Sequence, residues 1–142
     1  MFDIRFLKDY DVNIIGKTNT VVEDKLNVVI AIEDISFVNS LEDVEILKEN
    51  GIISATLSWN HKNKLCGGAY EDGNLSSFGK EILKKLLDLN FIIDLAHAPP
   101  RTFFDVVAVV DRPFIVSHSN CWALCNHPRN LTDEQLKDCR KF

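Results

Sequence analysis

The sequence predicts an α/β fold of parallel strands joined by helices, and three observations predict it. Short apolar runs, partly β-branched, recur at about 27–33, 52–57, 91–97 and 114–118, and read as buried parallel strands. The segments between them carry helical apolar stripes opened by capping residues. Two runs end on histidine, His97 and His118, and one ends on Glu33. In α/β architectures ligands and metals bind at the C-terminal ends of parallel strands. Two His and one Glu at neighbouring strand ends form a constellation of the kind zinc favours.

Each element follows in order. Phe2, Ile4, Phe6 and Leu7 open a strand or a short helix, and residues 9–11 and 16–19 read as loops. The first strand covers 27–33. Ser40 caps a helix over 41–49 with Val44, Ile46 and Leu47 as its stripe, and Asn50-Gly51 stops it. The second strand runs from Ile52 to Leu57 or Trp59. The polar, glycine-rich stretch 61–74 is a long loop, and long loops at such positions are usually functional. Ser76 or Ser77 caps the next helix, which buries Phe78, Ile82, Leu83, Leu86 and Leu87. After the third strand, Pro99-Pro100 opens a helix over 102–110 that is weakened by β-branched Val106, Val107, Val109 and Val110. The fourth strand is 114–118, a helical turn covers 119–126, and a capping box from Thr132 to Gln135 starts a last helix that reaches Cys139.

Four consecutive βα units, with right-handed crossovers, are half of the eight that close a (β/α)₈ barrel of about 250 residues. The expectation is therefore one domain over 1–142, a partial TIM-like barrel and incomplete; an open four-stranded sheet is the alternative. Either leaves an unprotected edge, which implies a homo-oligomer or a partner chain to cover it.

The chain has 142 residues, 46% hydrophobic and 26% charged, as one globular domain would. A net charge of -5 excludes a nucleic-acid footprint, and no basic run suggests an anionic membrane. No apolar run approaches the roughly 20 residues of a membrane span, and residues 1–6 lack a signal layout. These features predict a soluble, cytoplasmic protein. Cys66, Cys121, Cys125 and Cys139 form no CxxC pattern. Reduced, buried or half-buried thiols explain them better than disulfides or a Cys121/Cys125 metal pair.

Plainer readings of the same residues stand beside the metal reading. A strand-end histidine is more often a hydrogen-bonded structural residue than a ligand. Glu33 has an equally acidic neighbour in Asp34, and either caps or pairs locally. Arg129 reads as a surface ion pair, His127 as a surface residue, and Trp122 as core. Trp59 and Asn120 line a pocket or support one. By strand alternation Asp94 points away from the rim or packs inside the barrel.

The run Gly79-Lys-Glu-Ile, then Ile93-Asp94-Leu95-Ala96-His97, Pro113-Phe-Ile-Val-Ser117-His118-Ser119-Asn120 and His127-Pro-Arg129-Asn130-Leu-Thr-Asp133-Glu-Gln135, resembles the membrane (renal) dipeptidase family of zinc peptidases. Ile32-Glu33, Thr56-Leu57-Ser58-Trp59-Asn60 and Gly67-Gly68-Ala69 extend the likeness from about residue 25 to the end. The resemblance implies a TIM-like barrel with one or two zinc ions. Carried over, Glu33 bridges the metals, His97 and His118 hold one of them, and Arg129 takes the substrate carboxylate, bidentately as a guanidinium can. Trp59 stands where some members have a substrate-touching histidine, with His61 two residues on, and Asn120 and Trp59 are the other candidate substrate contacts. The family's N-terminal His-x-Asp metal pair has no counterpart, since the first histidine is His61. The family's late catalytic aspartate would lie beyond Phe142. The chain thus corresponds to the middle of such an enzyme, with at most one complete zinc site. The resemblance implies a zinc metallopeptidase that hydrolyses dipeptides, weak or inactive as an isolated chain. The alternative is a non-catalytic truncated remnant or a metal-binding or interaction domain.

Overall fold

In the computed structural model, which describes residues 10–140, strands and helices alternate along the chain. They are β1 (Val12–Ile14), α1 (Ile15–Thr18), β2 (Leu26–Val28), β3 (Ile30–Ile32), α2 (Leu41–Glu49), β4 (Ile52–Thr56), α3 (Ser77–Asp88), β5 (Ile92–Asp94), α4 (Pro100–Val107) and α5 (Asp133–Asp138). All strand pairings between these elements are parallel: β1 with β2 in one sheet, and β3-β4-β5 in the other. The expected parallel α/β architecture is therefore present. Phe2, Ile4, Phe6 and Leu7 lie outside the described residues.

The strand expected at 27–33 is two strands. Residues 26–28 pair with β1, whereas 30–32 pair with β4, so the chain changes partner at Val29. The first pair is tied by Asn13, only 4% exposed. Its Nδ2 donates to Thr20 O and to Asn27 Oδ1, both at 2.7 Å, and its Oδ1 accepts from Thr18 Oγ1 at 2.9 Å. Beside that network residues 15–18 form the single turn α1, within the expected loop 16–19 but for Ile15, and Asn19 ends it at φ 55°.

The helices follow their caps. Ser40 Oγ accepts from Asp43 N, and the Asp43 carboxylate accepts from Ser40 N, which closes a capping box. Gly51, at φ 85°, gives the left-handed backbone that ends α2, and its N–H donates to Lys48 O. Val44 and Leu47, three apart, face the core, whereas Ile46 is 53% exposed. At 3.6 residues per turn position 46 points away from position 44. Ser76 caps α3 through Gly79 N, and Ile82, Leu83, Leu86 and Leu87 are its buried face. The helix after Pro99 stops at Val107, short of the expected 110; the amides of Val109 and Val110 turn back onto Val106 O. Thr132 and Gln135 form the expected capping box of α5.

Val44 and Leu47 of α2, the buried face of α3, and Phe103 and Val106 of α4 close on Ala55 of β4 and Ile93 of β5. Gly79 marks a tight seam. A Cβ there would lie 2.2 Å from Leu65 O, the carbonyl that accepts from Ser76 N. Gly79→Ala should therefore destabilise the fold by about 1–3 kcal/mol through overpacking, although alanine is the better helix former by about 1 kcal/mol. Chemical denaturation reads the sign, and a stabilised variant would contradict this packing.

The fourth strand is the main departure. Only Ile115 pairs, by one parallel bridge to Asp94. Ile115 N donates to Ile93 O and Leu95 N donates to Ile115 O. The ladder then stops because Ser117 N turns to the Asp94 carboxylate instead of a backbone carbonyl. Of segment 119–126, expected as a helical turn, residues 122–124 form a turn in which Cys125 N donates to Cys121 O, and Cys121 itself bridges Leu131. No helix of the described residues is long and apolar enough to cross a membrane.

All four cysteines are free, with Cys66 buried, Cys121 and Cys139 half-buried and Cys125 exposed. Burial pushes the Cys66 thiol up to about 11. Iodoacetamide at pH 8 should label Cys125 in the native protein and leave Cys66 untouched until denaturant is added. Mass spectrometry of the labelled peptides checks this, and rapid native labelling of Cys66 would refute it.

Candidate metal centre

The rim beyond the strand ends is stitched before any functional side chain is placed. Asp34 follows Glu33 with φ 67°, donates its N–H to Thr56 Oγ1 at 2.7 Å, and accepts from Ser36 N at 2.9 Å. That separates two acids that the sequence leaves equivalent. Asp34 is used in the turn, and Glu33 is free to face the next strands.

Glu33 meets both histidines. Its Oε1 lies 2.6 Å from His97 Nε2 and 3.2 Å from His118 Nε2. The two Nε2 atoms are 3.1 Å apart. His97 is 3% exposed, while the Glu33 and His118 side chains are each 50% exposed. One of the three side chains is therefore rooted in the protein and two stand at the solvent edge. Among the described residues this is the one group of three metal-ligating side chains whose donor atoms all lie within 4.8 Å of one another.

The donor set fits a cation. Ligand atoms about 2.0–2.2 Å from a tetrahedral zinc stand roughly 3.3–3.6 Å apart; the 3.1 Å and 3.2 Å separations are close to this, and the 2.6 Å between Glu33 and His97 is shorter, the length of a direct hydrogen bond. Burial, and then the nearby Arg129 charge, lower the His97 pKa against the opposing pull of Glu33. The imidazole is accordingly neutral at pH 7, with a lone pair to offer. Ser117 Oγ lies 2.8 Å from His118 Nδ1. With the Nδ1 proton directed at that oxygen, Nε2 presents its lone pair to the cluster. His97 Nδ1 is buried and has no hydrogen-bond partner, so this ring is held by contacts at Nε2 and by packing.

The other expected residues surround this centre unequally. Trp59, half exposed, places its ring centroid 6.2 Å from that of His97. Arg129 Nη2 donates to His118 O at 3.4 Å, and its buried Nε has no partner. Asn120 braces the backbone: its N–H donates to Asn130 Oδ1 and its own Oδ1 accepts from Cys121 N. His61 is paired with Glu71 at 2.9 Å, apart from the triad. His127 is exposed, as expected, and accepts from Arg129 N. Trp122, expected in the core, is 38% exposed. It lines a cavity of about 450 Å³ with Tyr70, Pro99, Pro100 and Pro128, because the loop that carries it packs on other loops and not on the sheet. Asp94, set aside from the sequence, proves to be buried beside both histidine turns. A charged residue inside a buried strand run is a usable signal, since it persists there only when groups nearby satisfy it.

Residues 11–141 match the membrane dipeptidase family (peptidase family M19). The chain belongs to that family. An uncharacterized protein from the PQQ-III 3' region of Acinetobacter calcoaceticus is 30% identical over 128 residues, which are 84% of this chain and 41% of that protein. Among solved structures, an amidohydrolase from Pseudomonas aeruginosa superposes with a TM-score of 0.77 at 31% identity, covering 81% of this chain and 36% of the other. A metallo peptidase from Rhodobacter sphaeroides, liganded with a phosphinate mimic of the dipeptide L-Ala-D-Ala, gives 0.76 at 22% identity over 82% and 36% of the two chains. The fold is thus part of a TIM-like barrel. The chain spans well under half of each of these proteins.

Proposed function

We propose that this chain carries part of the active centre of a zinc-dependent dipeptidase, with Glu33, His97 and His118 as both the metal ligands and the catalytic core. The convergence of their three donor atoms within 4.8 Å carries the reading. Membership of the membrane dipeptidase family supports it, as does the dipeptide mimic bound in the Rhodobacter sphaeroides relative. Two imidazoles and a carboxylate are a donor set that zinc accepts while keeping a position open. A bound Zn²⁺ supplies a Lewis acid and brings the pKa of its water to about 7.

The chain's own groups take the remaining roles. Arg129, with a buried and unpaired Nε, receives the substrate carboxylate. Trp59 walls the pocket beside His97, and Asn120 contacts the dipeptide from the loop after His118.

The 142 residues contain no His-x-Asp pair to hold a second metal. In this reading the isolated chain hydrolyses dipeptides weakly or not at all. The same absence favours a second reading, a folded metal-binding or interaction domain without turnover. Zinc content, oligomeric state and hydrolysis of simple dipeptides, measured on one preparation with added zinc, separate the possibilities. We expect one tightly held zinc per chain and little turnover. Turnover equal to that of an intact relative would refute the weak-activity claim, and a chain that holds no zinc would refute the site.

A further inference from the structure

Asp94 closes β5 with its side chain buried, 7% exposed. Its Oδ1 accepts from Ala96 N at 2.9 Å and from Ser117 N at 3.0 Å. Ala96 immediately precedes His97, and Ser117 immediately precedes His118. One oxygen therefore grips the residue before each imidazole, across 23 positions of sequence in the second case.

We propose that Asp94 is a positioning residue that sets the spacing of His97 and His118. It acts through two backbone amides. The inference rests on reading Glu33, His97 and His118 as metal ligands, but the clamp can be tested without metal. A carboxylate suits the task. It has lone pairs enough for two N–H donors on one oxygen, and charge-assisted bonds are roughly twice as strong as neutral ones. An asparagine offers a weaker acceptor and brings two donors into a buried place.

The local backbone needs such a hold. His97 sits at φ 67°, a left-handed conformation uncommon for a residue with a Cβ. Strained backbone of this kind persists only where the surroundings over-determine it. The Asp94–Ala96 bond and the Ala98 N–H donated to Leu95 O supply that determination for the His97 turn. On the other side, a single bridge at Ile115 is the last ladder contact before His118. Beyond it the Asp94 carboxylate replaces the missing backbone acceptor. Loss of the clamp frees both turns at once, and the 3.1 Å approach of the two Nε2 atoms depends on both.

The test uses the full chain and zinc alone as the probe. In Asp94→Asn, the imidazole resonances of His97 and His118 should move in the metal-free protein. The zinc dissociation constant should rise roughly 10–100-fold, the usual cost of losing a group that orients a ligand. Asp111→Asn, at an exposed acid paired with Arg112, should alter neither. Unchanged imidazole resonances, or zinc affinity within about twofold of native with the resonances moved, would overturn the proposal. If Asp94→Asn does not fold, hydrogen exchange on the native chain decides: protected Ala96 and Ser117 amides support the clamp, and exchange as fast as at exposed amides overturns it. Native protein that takes up no zinc, yet shows moved imidazoles in the variant, would support the clamp and remove the metal reading.

Discussion

His97→Ala is expected to abolish stoichiometric zinc uptake, raising the dissociation constant by more than about 100-fold, beyond the 10–100-fold cost of losing a group behind a ligand. The reason is the unequal burial of the three donors. His97 is 3% exposed, whereas the side chains of Glu33 and His118 are half exposed. Without the buried ligand, two solvent-edge groups remain, and both compete with water. The effect should also appear in stability. A ligand that binds only the folded state, at a hundredfold excess over its Kd, adds about 2.7 kcal/mol, or roughly 10 °C in midpoint for a domain of this size. Zinc should therefore raise the thermal midpoint of the native chain and leave that of His97→Ala in place. Calorimetric titration together with melting curves, with and without zinc, reads both. Equal zinc-induced shifts in the two proteins would show that His97 is not a ligand.

The second large effect is mechanical. Phe103→Ala should cost about 3–5 kcal/mol, a large part of the roughly 5–15 kcal/mol that holds a typical domain together. Phe103 is fully buried. Its ring meets Phe104 edge-on at 5.5 Å and Phe114 edge-on at 5.9 Å. It therefore fixes α4 against the segment that runs through Ile115 to His118, and truncation opens a cavity beneath that segment. Urea unfolding followed by circular dichroism measures the loss, with Phe103→Leu, which refills most of the volume, as the milder companion. A loss below about 1 kcal/mol for the alanine variant would mean that the site is not packed as described.

Some of this was legible in residues alone because its causes are local. Ser40 with Asp43, Ser76 with Gly79, and Thr132 with Gln135 lie within one helical turn, so each cap could be read before any fold was known. The apolar stripe of α3 and the stop at Asn50-Gly51 are equally short-range. Strand limits were less legible, because a strand ends where its partner does. The run 27–33 looks continuous, but its halves pair with different strands. The run 114–118 looks like a strand, but a side chain from Asp94 takes the amide at Ser117. Alternation within the strand left Asp94 either turned from the rim or packed inside the barrel, where it is buried. It missed the carboxylate's work, because its partners are backbone amides with no signature in sequence.

The chain of residues sufficed to predict parallel βα units, their helix caps, and an acid and two imidazoles at the ends of apolar runs. It could not decide whether Glu33 or Asp34 faces the histidines, or whether Glu33, His97 and His118 meet. Those outcomes depend on strand pairing and on turns stitched by Thr56 and Asp94. Only the assembled sheet brings three groups so distant in sequence within reach of one cation.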